Sequence, residues 1–397
     1  MEIQEKINIL FWRTGFYGAL TVGGVASLYK SLTTEFLRNG DNVHYVSGGS
    51  VDLPPEVNFH FVEYSNLYRN FPEVHNLPYN IKSTKEVIKI IEDNKIDLLY
   101  LHHHDFHYGL QILKNKLNIP VILHLDSIEY WVKKNWGKLY LGKLLQWCEQ
   151  IEIEKADAIL VISQVLKEQL SNFYNVNPDK IFVSPNGVDV EKFSPNVSSE
   201  NIIKKYRLSG NFVIGYSGVF NEYHGIDIFL NSMILILKEI NNAKFLLIGD
   251  GELRKSVDEF VSKNGIADKV IVTGLVPYDD VPKYLAACDV LVSPFKATHN
   301  TTFFNSPIKT FEYMAMQIPF VSTQIGQLSK ILMDNHNSLI MDENDSNSLS
   351  KKVIKLYEDK NLSKMIAKNA RKEAVEKYSW SENYKRIIQI YNKIKKI

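Results

Sequence analysis

Short apolar runs alternate with longer amphipathic stretches along most of this 397-residue chain. The runs are rich in Val, Ile and Leu, and the first group of them spans residues 7–12, 42–47, 98–102, 121–125, 158–162 and 181–183. Buried strands of a parallel sheet have this composition, and helical stretches connect one parallel strand to the next. The alternation therefore predicts an α/β fold in which helices cover a parallel sheet.

The alternation pauses once, in a polar stretch at residues 186–210 that includes Pro195 and Gly210. Apolar runs then resume at residues 212–217, 244–248, 270–273, 290–293 and 320–322. A pause of this kind is typical of a domain boundary. We predict two Rossmann-like, doubly wound domains that face a central cleft, at residues 1–188 and 189–379. A C-terminal helix at about 380–397 is predicted to pack back on the first domain.

Composition excludes several classes of protein. A hydrophobic content of 45% is enough for two cores, which excludes a disordered chain. The net charge of +1 gives no field that would attract nucleic acid. Cys148 and Cys288 lie far apart, which indicates a reducing compartment and not a disulfide framework. The polar start at residues 1–6 and the shortness of every apolar run predict a cytoplasmic protein that does not span a membrane.

Residues 306–315 read Ser-Pro-Ile-Lys-Thr-Phe-Glu-Tyr-Met-Ala, which predicts a helix start that can hold an anion. Ser306 is a favourable N-cap, and Pro307 suits the first helical position because its missing N–H costs nothing there. The N–H groups that would face the anion belong to Ile308, Lys309 and Thr310. The helix dipole and the Lys309 ammonium would add positive charge, so the segment predicts a phosphate site.

Glu312 lies three residues after Lys309, on the same face of the predicted helix. A carboxylate there is placed to accept hydrogen bonds from sugar hydroxyls next to the phosphates. A diphosphate beside a ribose predicts a nucleotide ligand. The competing interpretation of these residues alone is an ordinary amphipathic helix with a solvated lysine.

Glycines end two strands of the second predicted domain, in residues 215–218 (Gly-Tyr-Ser-Gly) and 249–251 (Gly-Asp-Gly). Glycine at a strand end lets a ligand approach the backbone. Residues 249–254 lack the third glycine of a dinucleotide fingerprint, which argues against a nicotinamide or flavin enzyme. In the first domain Gly23 and Gly24 precede a helical pattern, with a plain structural turn as the competing interpretation.

Taken in this order, the motifs resemble the retaining nucleotide-sugar glycosyltransferases of the GT-B fold, glycosyltransferase family 4, also called glycosyl transferases group 1. The resemblance covers nearly the whole chain. It is carried by residues 23–25 (Gly-Gly-Val), 156–163 (Ala-Asp-Ala-Ile-Leu-Val-Ile-Ser), 185–189 (Pro-Asn-Gly-Val-Asp), 193–195 (Phe-Ser-Pro), 214–218, 224–225 (His-Gly), 249–251, 287–290 (Ala-Cys-Asp-Val), 306–315 and 318–319 (Ile-Pro).

The resemblance implies an enzyme of the hexosyltransferase class that acts in glycan biosynthesis. It would move a sugar from a nucleoside diphosphate sugar to a glycan, glycolipid or small-molecule acceptor, with retention at the anomeric carbon. The second domain would bind the donor and the first the acceptor, without a metal or other cofactor. The donor-binding residues implied are Gly23, Gly24, Gly218, His224, Arg254, Ile308, Lys309, Thr310 and Glu312.

The chain departs from the usual family pattern in two places. The family's paired glutamates lie eight residues apart, and Phe304 stands where the first is expected, so only Glu312, the implied ribose ligand, remains. After Gly218, residues 219–220 (Val-Phe) and 224–225 (His-Gly) stand where an Arg and a Lys commonly clamp the diphosphate. Charge neutralisation would then rest on Lys309, the helix N-terminus and Arg254.

The catalytic candidates lie at residues 121–126 (Val-Ile-Leu-His-Leu-Asp), a predicted strand whose end reaches the cleft. Side chains two residues apart share one face of a strand, so His124 and Asp126 point the same way. The family often places a His or an Asp at this strand end. We predict Asp126 as the first catalytic residue and His124 as the second, with a buried structural histidine as the competing interpretation of His124.

Residues 102–107 (His-His-His-Asp-Phe-His) contain side chains of the types that metals bind. They follow a predicted strand, however, where neighbouring side chains diverge. The other acidic pair, at residues 279–280 (Asp-Asp), is typical of a helix start, where negative charge favours the helix dipole. We therefore predict no metal site and expect one or two of these histidines to line the acceptor cleft.

Two alternative functions remain open at this point: a nucleotide-sugar epimerase of the same architecture, and a non-catalytic protein that senses nucleotide sugars.

Residues 131–147 interleave lysines with aromatic and leucine side chains. Such a stretch can make a peripheral contact with the inner face of a membrane, or can pack its apolar side on the first sheet with the lysines in solvent. The second interpretation is favoured. The predicted partners are a nucleotide-sugar donor and a sugar, glycolipid or small-molecule acceptor.

Overall fold

The computed structural model describes residues 5–15, 24–63, 76–137, 139–297 and 305–395. The chain forms two compact units, unit 1 from Met1–Pro185 with Trp380–Ile397, and unit 2 from Asn186–Ser379. Each unit is built on one parallel sheet.

Unit 1 contains the first seven strands. They are β1 (Asn8–Arg13), β2 (Asn42–Ser47), β3 (Asn58–Phe61), β4 (Leu98–His102), β5 (Val121–Leu125), β6 (Ala158–Val161) and β7 (Ile181–Val183). Their order in the sheet is β3-β2-β1-β4-β5-β6-β7, and all neighbours are parallel. The order reverses beside β1, so the carboxyl ends of β1 and β4 flank the switch point at which doubly wound folds bind ligands.

The helices between these strands are α1 (Gly24–Arg38), α2 (Asn76–Asn94), α3 (Gly109–Lys114), α4 (Glu129–Trp136), α5 (Gly142–Lys155) and α6 (Gln164–Tyr174). The stretch at 131–147 that reads as one amphipathic segment is therefore divided between α4 and α5. Gly137 ends α4 in an extended conformation, which a continuous helix would not allow.

Unit 2 contains a six-stranded sheet in which all neighbours are parallel. Its strands are β8 (Phe212–Ser217), β9 (Ala243–Ile248), β10 (Val270–Val272), β11 (Val290–Ser293), β12 (Phe320–Thr323) and β13 (Leu339–Met341), in the order β10-β9-β8-β11-β12-β13. Its helices are α7 (Glu200–Tyr206), α8 (Ile226–Glu239), α9 (Arg254–Lys263), α10 (Val281–Leu285), α11 (Ile308–Ala315), α12 (Leu328–Ile331), α13 (Ser346–Glu358) and α14 (Lys360–Lys377). The switch point lies between β8 and β11.

After unit 2 the chain returns to unit 1 and forms α15 (Trp380–Ile394). Tyr384 anchors this helix, because its hydroxyl donates a hydrogen bond to Asp41 Oδ2 at 3.0 Å and its ring meets Phe36 edge-on at 4.7 Å. Asp41 Oδ1 accepts a second hydrogen bond, from the N–H of Ile7 at 3.0 Å. The helix is thus fixed to α1 and to the chain that enters β1.

The predicted fold class is confirmed, since both units are Rossmann-like parallel sheets with helices. The apolar runs of the sequence do not predict two strands, β3 and β13, and both lie at a sheet edge. β3 reads Asn-Phe-His-Phe with Phe61 59% exposed, and β13 has only three residues. An edge strand is partly solvated, so it need not carry the continuous apolar run of a central strand.

Candidate functional site

Glycine backbone at the ends of β8 and β9 shapes one edge of the unit 2 sheet. Gly218 has φ of 129° and Gly249 has φ of 141°, a region of backbone that favours glycine. A Cβ atom at Gly249 would collide with the Gly218 carbonyl oxygen. A Cβ atom at Gly218 would lie 3.4 Å from Lys309 Nζ and 3.7 Å from His224 Nδ1. The fold therefore brings together three predicted donor-binding residues, Gly218, His224 and Lys309.

The start of α11 differs from the prediction. The helix begins at Ile308 after Pro307, which is extended, and within the described ranges no side chain caps it. Ser306 is not the cap, because its Oγ accepts a hydrogen bond from the Asn186 N–H at 3.0 Å. The Asn186 side-chain amide also donates to the Ser306 carbonyl, at 2.8 Å. Ser306 therefore fixes the chain that leads into the helix instead of satisfying its first donors.

The uncapped end of α11 keeps donors for a ligand. The Thr310 N–H donates to the Pro307 carbonyl at 3.1 Å, so of the three predicted N–H groups those of Ile308 and Lys309 face the open end of the helix. The Thr310 hydroxyl is fully buried and has no hydrogen-bond partner among the described residues. A helix N-terminus with unsatisfied donors suits an anion.

Lys309 is a cation of unit 2 with unusual surroundings for a lysine. Its side chain is buried, and its ammonium has no hydrogen-bond partner in the described part of the chain. Nζ lies 4.5 Å from the ring centroid of Tyr216 and 4.5 Å from that of Phe295. Burial lowers the pKa of Lys309 to about 7, against the opposing charge of Glu312. Two aromatic faces stabilise the cation in part, but they satisfy none of its three N–H donors.

Glu312 lies in the first turns of the same helix and is also buried. Burial raises its pKa to about 7, while the Tyr278 hydroxyl and the charges of Lys309 and Lys192 oppose this shift. The carboxylate therefore lies close enough to Lys309 for each to influence the other. A carboxyl whose charged form is costly without a partner gains from ligand hydroxyls that donate to it.

His224 presents an acceptor. Its Nδ1 lies 2.9 Å from the Val219 carbonyl oxygen and therefore carries the proton, which leaves the lone pair on Nε2. Burial, and then the charge of Lys309, lowers the pKa of His224 to about 3. A neutral imidazole with its lone pair on Nε2 can accept a hydrogen bond from a hydroxyl at that nitrogen and cannot donate one from it to a phosphate.

Arg254, the first residue of α9, is already paired. Its Nε lies 3.0 Å from Asp258 Oδ2, and its guanidinium lies 3.6 Å from Asp250 Oδ2. The structure therefore gives this predicted phosphate ligand two carboxylate partners. A role at a diphosphate would have to use the guanidinium N–H donors that these two contacts leave over.

In unit 1, the ends of β4 and β5 bring a second group of side chains together. The strands pair His102 with His124, and Asp126 follows directly after β5. Asp126 Oδ2 lies 3.0 Å from His102 Nε2, and Oδ1 lies 3.4 Å from His124 Nε2. Both imidazoles are buried, whereas the Asp126 side chain is 32% exposed. The carboxylate is the part of this group that a ligand can reach.

The surroundings set the charges of this group. Burial alone raises the pKa of Asp126, but the charges of His124 and His102 more than offset this effect. The resulting pKa of Asp126 lies well below its usual range. Burial lowers the pKa of His124 to about 4, although the charge of Asp126 opposes the shift. At neutral pH Asp126 is therefore ionised and His124 is neutral.

These three side chains also have the composition of a metal site, since their ligand atoms lie within 4.8 Å of one another. Their arrangement favours a hydrogen-bonded cluster. Each imidazole Nε2 already faces a different oxygen of Asp126. The rings of His102 and His124 are stacked, with centroids 4.8 Å apart and planes 27° from parallel. The nitrogen of each ring that would bind an ion is therefore already directed at a carboxylate oxygen.

Two buried carboxylates of α5 fix the helices beside these strand ends. Glu149 and Glu152 lie one turn apart and are both fully buried. Glu149 accepts a hydrogen bond at 2.7 Å from the N–H of Glu129, the first residue of α4. Glu152 accepts one at 3.0 Å from the N–H of Leu110, in the first turn of α3. One face of α5 therefore caps the N-termini of two other helices.

The same carboxylates account for two histidines of the 102–107 segment. His107 Nδ1 lies 2.9 Å from Glu152 Oε2, and His103 Nε2 lies 3.7 Å from Glu149 Oε1. Asp105 pairs with Lys133 of α4. Adjacent side chains of the segment thus diverge, as predicted from its position after a strand. His103 and His107 are part of the internal packing of unit 1, and His102 is the member that reaches Asp126.

The remaining predicted residues and the 131–147 segment can be placed briefly. Gly23 lies outside the described residues, and Gly24 is the first residue of α1. Tyr140 is 74% exposed and Trp147 is 53% exposed, so the segment does carry aromatic surface. Among the described residues no helix is long and apolar enough to cross a membrane. Contact with a membrane surface stays a prediction.

Three aromatic residues of these groups were not singled out from the sequence. Tyr216 and Phe295 hold the Lys309 ammonium, and Tyr29 of α1 contacts His102 Nδ1 through its hydroxyl. Tyr216 lies in a strand and Tyr29 in an amphipathic helix, where an aromatic residue normally indicates core. Phe295 closely follows β11, and its place after a strand end is the one sequence signal available.

Comparison with known proteins agrees with the fold. The model of Glycosyltransferase Family 4 matches residues 22–192, and the model of Glycosyl transferases group 1 matches residues 198–373. An uncharacterized glycosyltransferase of Methanocaldococcus jannaschii is 28% identical over 397 residues, which cover 97% of each protein.

Solved structures with little sequence identity share the fold. A glycosyltransferase from Rickettsia africae has a TM-score of 0.76 at 18% identity and covers 99% of this chain and 100% of its own. HepE of Anabaena, solved in complex with UDP, has a TM-score of 0.74 at 17% identity and covers 98% of this chain and 100% of its own. HepE has also been solved with UDP-glucose. Because each half of the sequence matches a model of one enzyme family and the whole chain has the fold of solved glycosyltransferases, the chain belongs to the group 1 glycosyltransferases of the GT-B fold.

Proposed function

We propose that this protein is a retaining glycosyltransferase that takes a sugar from a nucleoside diphosphate sugar and transfers it to a hydroxyl group of a glycan, glycolipid or small molecule. The observation that carries the proposal is the Lys309 ammonium, which is buried between two aromatic rings and has no hydrogen-bond partner among the described residues. A buried cation without a hydrogen-bonding anion is costly in the free protein, and a diphosphate would supply that anion. The UDP and UDP-glucose complexes of HepE support this class of donor.

Different residues of unit 2 bind different parts of the donor. The diphosphate lies at the start of α11, against the Lys309 ammonium and the open N–H groups of Ile308 and Lys309. Glu312 accepts hydrogen bonds from the ribose hydroxyls. His224 Nε2 accepts a hydrogen bond from a hydroxyl of the transferred sugar. As the sugar leaves, negative charge grows on the phosphate oxygen, and Lys309 with the helix dipole stabilises it where it forms.

Asp126 of unit 1 acts as a permanent negative charge and not as a base. A base works best when its pKa lies near the operating pH, and the pKa of Asp126 lies far below it. In the proposed reaction the acceptor oxygen bonds to the anomeric carbon on the face from which the phosphate oxygen departs. The acceptor proton passes to that phosphate oxygen. Asp126 accepts a hydrogen bond from a sugar hydroxyl and stabilises the positive charge that develops on the sugar.

The test begins with a thermal-shift screen of UDP-, GDP-, ADP- and dTDP-linked sugars. The sugar that stabilises the protein most is then incubated with acceptors, and release of the nucleoside diphosphate and the configuration of the product are measured. The proposal expects release that an acceptor accelerates, and a product with the anomeric configuration of the donor. A changed sugar that stays on its nucleotide would identify an epimerase. Binding without release or sugar change would identify a sensor.

We expect activity to survive a saturating chelator. The positive end of α11 and Lys309 take the place that a divalent cation has in other phosphate sites. Nucleoside diphosphate release from the best donor is measured with and without EDTA, after dialysis against EDTA. Activity that disappears and returns on addition of magnesium or manganese would show that the proposed charge neutralisation is wrong.

We expect donor binding to take up protons at pH 8 and to release them at pH 6. The pKa of Lys309 is lowered to about 7 in the free protein, and a bound diphosphate raises it again, so a mostly neutral lysine gains a proton at pH 8. The pKa of Glu312 is raised to about 7, and hydroxyl donors lower it, so a mostly protonated carboxyl loses a proton at pH 6. Calorimetry with the donor that the screen selects, in buffers of different ionisation enthalpy, measures both.

One variant at each residue separates the proton uptake by Lys309 from the proton release by Glu312. Lys309→Met abolishes the uptake at pH 8, and Glu312→Gln abolishes the release at pH 6. Proton exchange of the same sign at both pH values in the parent protein would contradict the assignment.

A further inference from the structure

A buried hydroxyl lies behind the His102–Asp126 pair. Tyr29 of α1 is 1% exposed, and its hydroxyl contacts Nδ1 of His102. The opposite nitrogen of the same ring, Nε2, lies 3.0 Å from Asp126 Oδ2. A continuous chain therefore runs from the interior of unit 1 outward, from the Tyr29 hydroxyl through the His102 ring to the partly exposed carboxylate.

When the His102 ring is neutral, the protons of this chain have one consistent arrangement. Burial raises the pKa of Tyr29 well above its usual value, so the hydroxyl keeps its proton at neutral pH. Asp126 is ionised and accepts only, so His102 must donate to it from Nε2. His102 Nδ1 is then the acceptor, and the Tyr29 hydroxyl donates to it. The reverse arrangement would place the Nε2 lone pair against a carboxylate oxygen.

Other polar groups face the chain from every neighbouring element. They are Arg13 of β1, Tyr45 of β2, Tyr100 of β4, His104 after β4 and His124 of β5. In the described residues Tyr29 is the group whose hydroxyl meets His102 Nδ1. The tautomer of His102 therefore depends on Tyr29 more directly than on these neighbours.

We propose that Tyr29 is a positioning residue for sugar transfer, which fixes the Nε2–H tautomer and the ring orientation of His102 so that His102 holds the Asp126 carboxylate. This inference rests on the proposed role of Asp126 in transfer. Because Tyr29 is buried, its effect reaches the reaction through His102 and not through contact with donor or acceptor.

The kinetic test uses Tyr29→Phe, which removes one oxygen and keeps the ring. We expect kcat for release of the nucleoside diphosphate from the best donor of the screen to fall about tenfold, the usual equivalent of one buried hydrogen bond, while the donor KM stays unchanged. Tyr384→Phe is the matched control, because it loses a hydroxyl hydrogen bond to Asp41 elsewhere in unit 1. Its kcat should stay within about twofold of the parent.

A double-mutant cycle separates positioning from a structural role. In the His102→Phe background the Tyr29 hydroxyl has no nitrogen to hold, so Tyr29→Phe should cost no further turnover. An equal loss in both backgrounds would mean that Tyr29 acts on the fold in general, and would overturn the proposal.

Nitrogen NMR of histidine-labelled protein tests the tautomer without any substrate. The His102 signals are assigned by their loss in His102→Phe, and we expect a protonated Nε2 and an unprotonated Nδ1 at pH 7.5. A proton on Nδ1 would overturn the proposal. Asp126→Asn at the parent rate would overturn the role of Asp126 and this inference with it. Impaired Asp126→Asn with Tyr29→Phe at the parent rate would overturn this inference alone.

Discussion

Asp126→Asn is expected to bind the donor as the parent does and to lose most turnover, on the order of 100-fold or more. The substitution keeps the size of the side chain and removes a charge that two buried imidazoles hold in place. That charge matters chiefly when positive charge develops on the sugar, so its loss lowers kcat and leaves ground-state affinity largely unchanged. Calorimetry with the donor and steady-state kinetics measure the two effects separately.

His124→Ala should show a milder loss of the same kind. His124 is buried and reaches the reaction through Asp126, at 3.4 Å. Asp52→Asn is a suitable control in unit 1, because Asp52 forms an exposed ion pair with Lys30. If Asp126→Asn turns over at the parent rate while His124→Ala is inactive, the two roles must be exchanged. If both variants are active, neither residue belongs to the transfer step.

Lys309→Met is expected to weaken donor binding by about 10- to 150-fold, which corresponds to the loss of roughly 1.5 to 3 kcal/mol from a charged hydrogen bond. The same substitution should raise the melting temperature of the free protein. An ammonium that loses its water without gaining a hydrogen-bond partner destabilises the fold, and a thioether of similar length fits between the rings of Tyr216 and Phe295. Glu312→Gln should also weaken donor binding, through the ribose.

The opposite signs of the two effects make this test sharp. A lysine that merely supports the fold would lower the melting temperature when removed, and a lysine outside the site would leave donor affinity unchanged. Lys283→Met provides the control within unit 2, since Lys283 forms an exposed pair with Asp280. Calorimetry and thermal unfolding of the free proteins, at the same pH, give both quantities.

The central strands of both sheets follow from the sequence because their residues are buried on both faces. A strand such as β5, Val-Ile-Leu-His-Leu, keeps its apolar run whatever packs around it. The edge strands β3 and β13 depend on one neighbour each and carry a mixed or very short pattern, so local sequence does not distinguish them from loop.

At the start of α11 the sequence leads to the correct helix and the wrong cap. Ser306 has the composition of an N-cap, but its hydroxyl is taken by the backbone of Asn186, which lies 120 residues earlier in the chain. A contact over such a separation is decided by the tertiary fold. The phosphate site at this segment stays a prediction, and a helix start without a cap is compatible with it because its N–H donors are left for a ligand.

Tyr29 and Tyr216 are two residues whose contacts with the candidate sites cannot be predicted from the sequence. Each occupies a position that its own helix or strand directs into the interior, so its pattern indicates core packing alone. Only the fold sets the Tyr29 hydroxyl against His102 and the Tyr216 ring beneath the Lys309 ammonium. Sequence identifies the charged members of such groups more readily than the buried residues that hold them.

The return of the chain to unit 1 has a consequence for synthesis. Tyr384 of α15 completes the packing around Asp41 and Phe36, yet all of unit 2 lies between them in the chain. A ribosome therefore delivers every residue of unit 2 before unit 1 has its last helix. Since domains fold as units, we expect unit 1 to complete its packing only after α15 has been made, although its strands leave the ribosome first. The unit whose strands are translated first is therefore the unit whose packing is completed last.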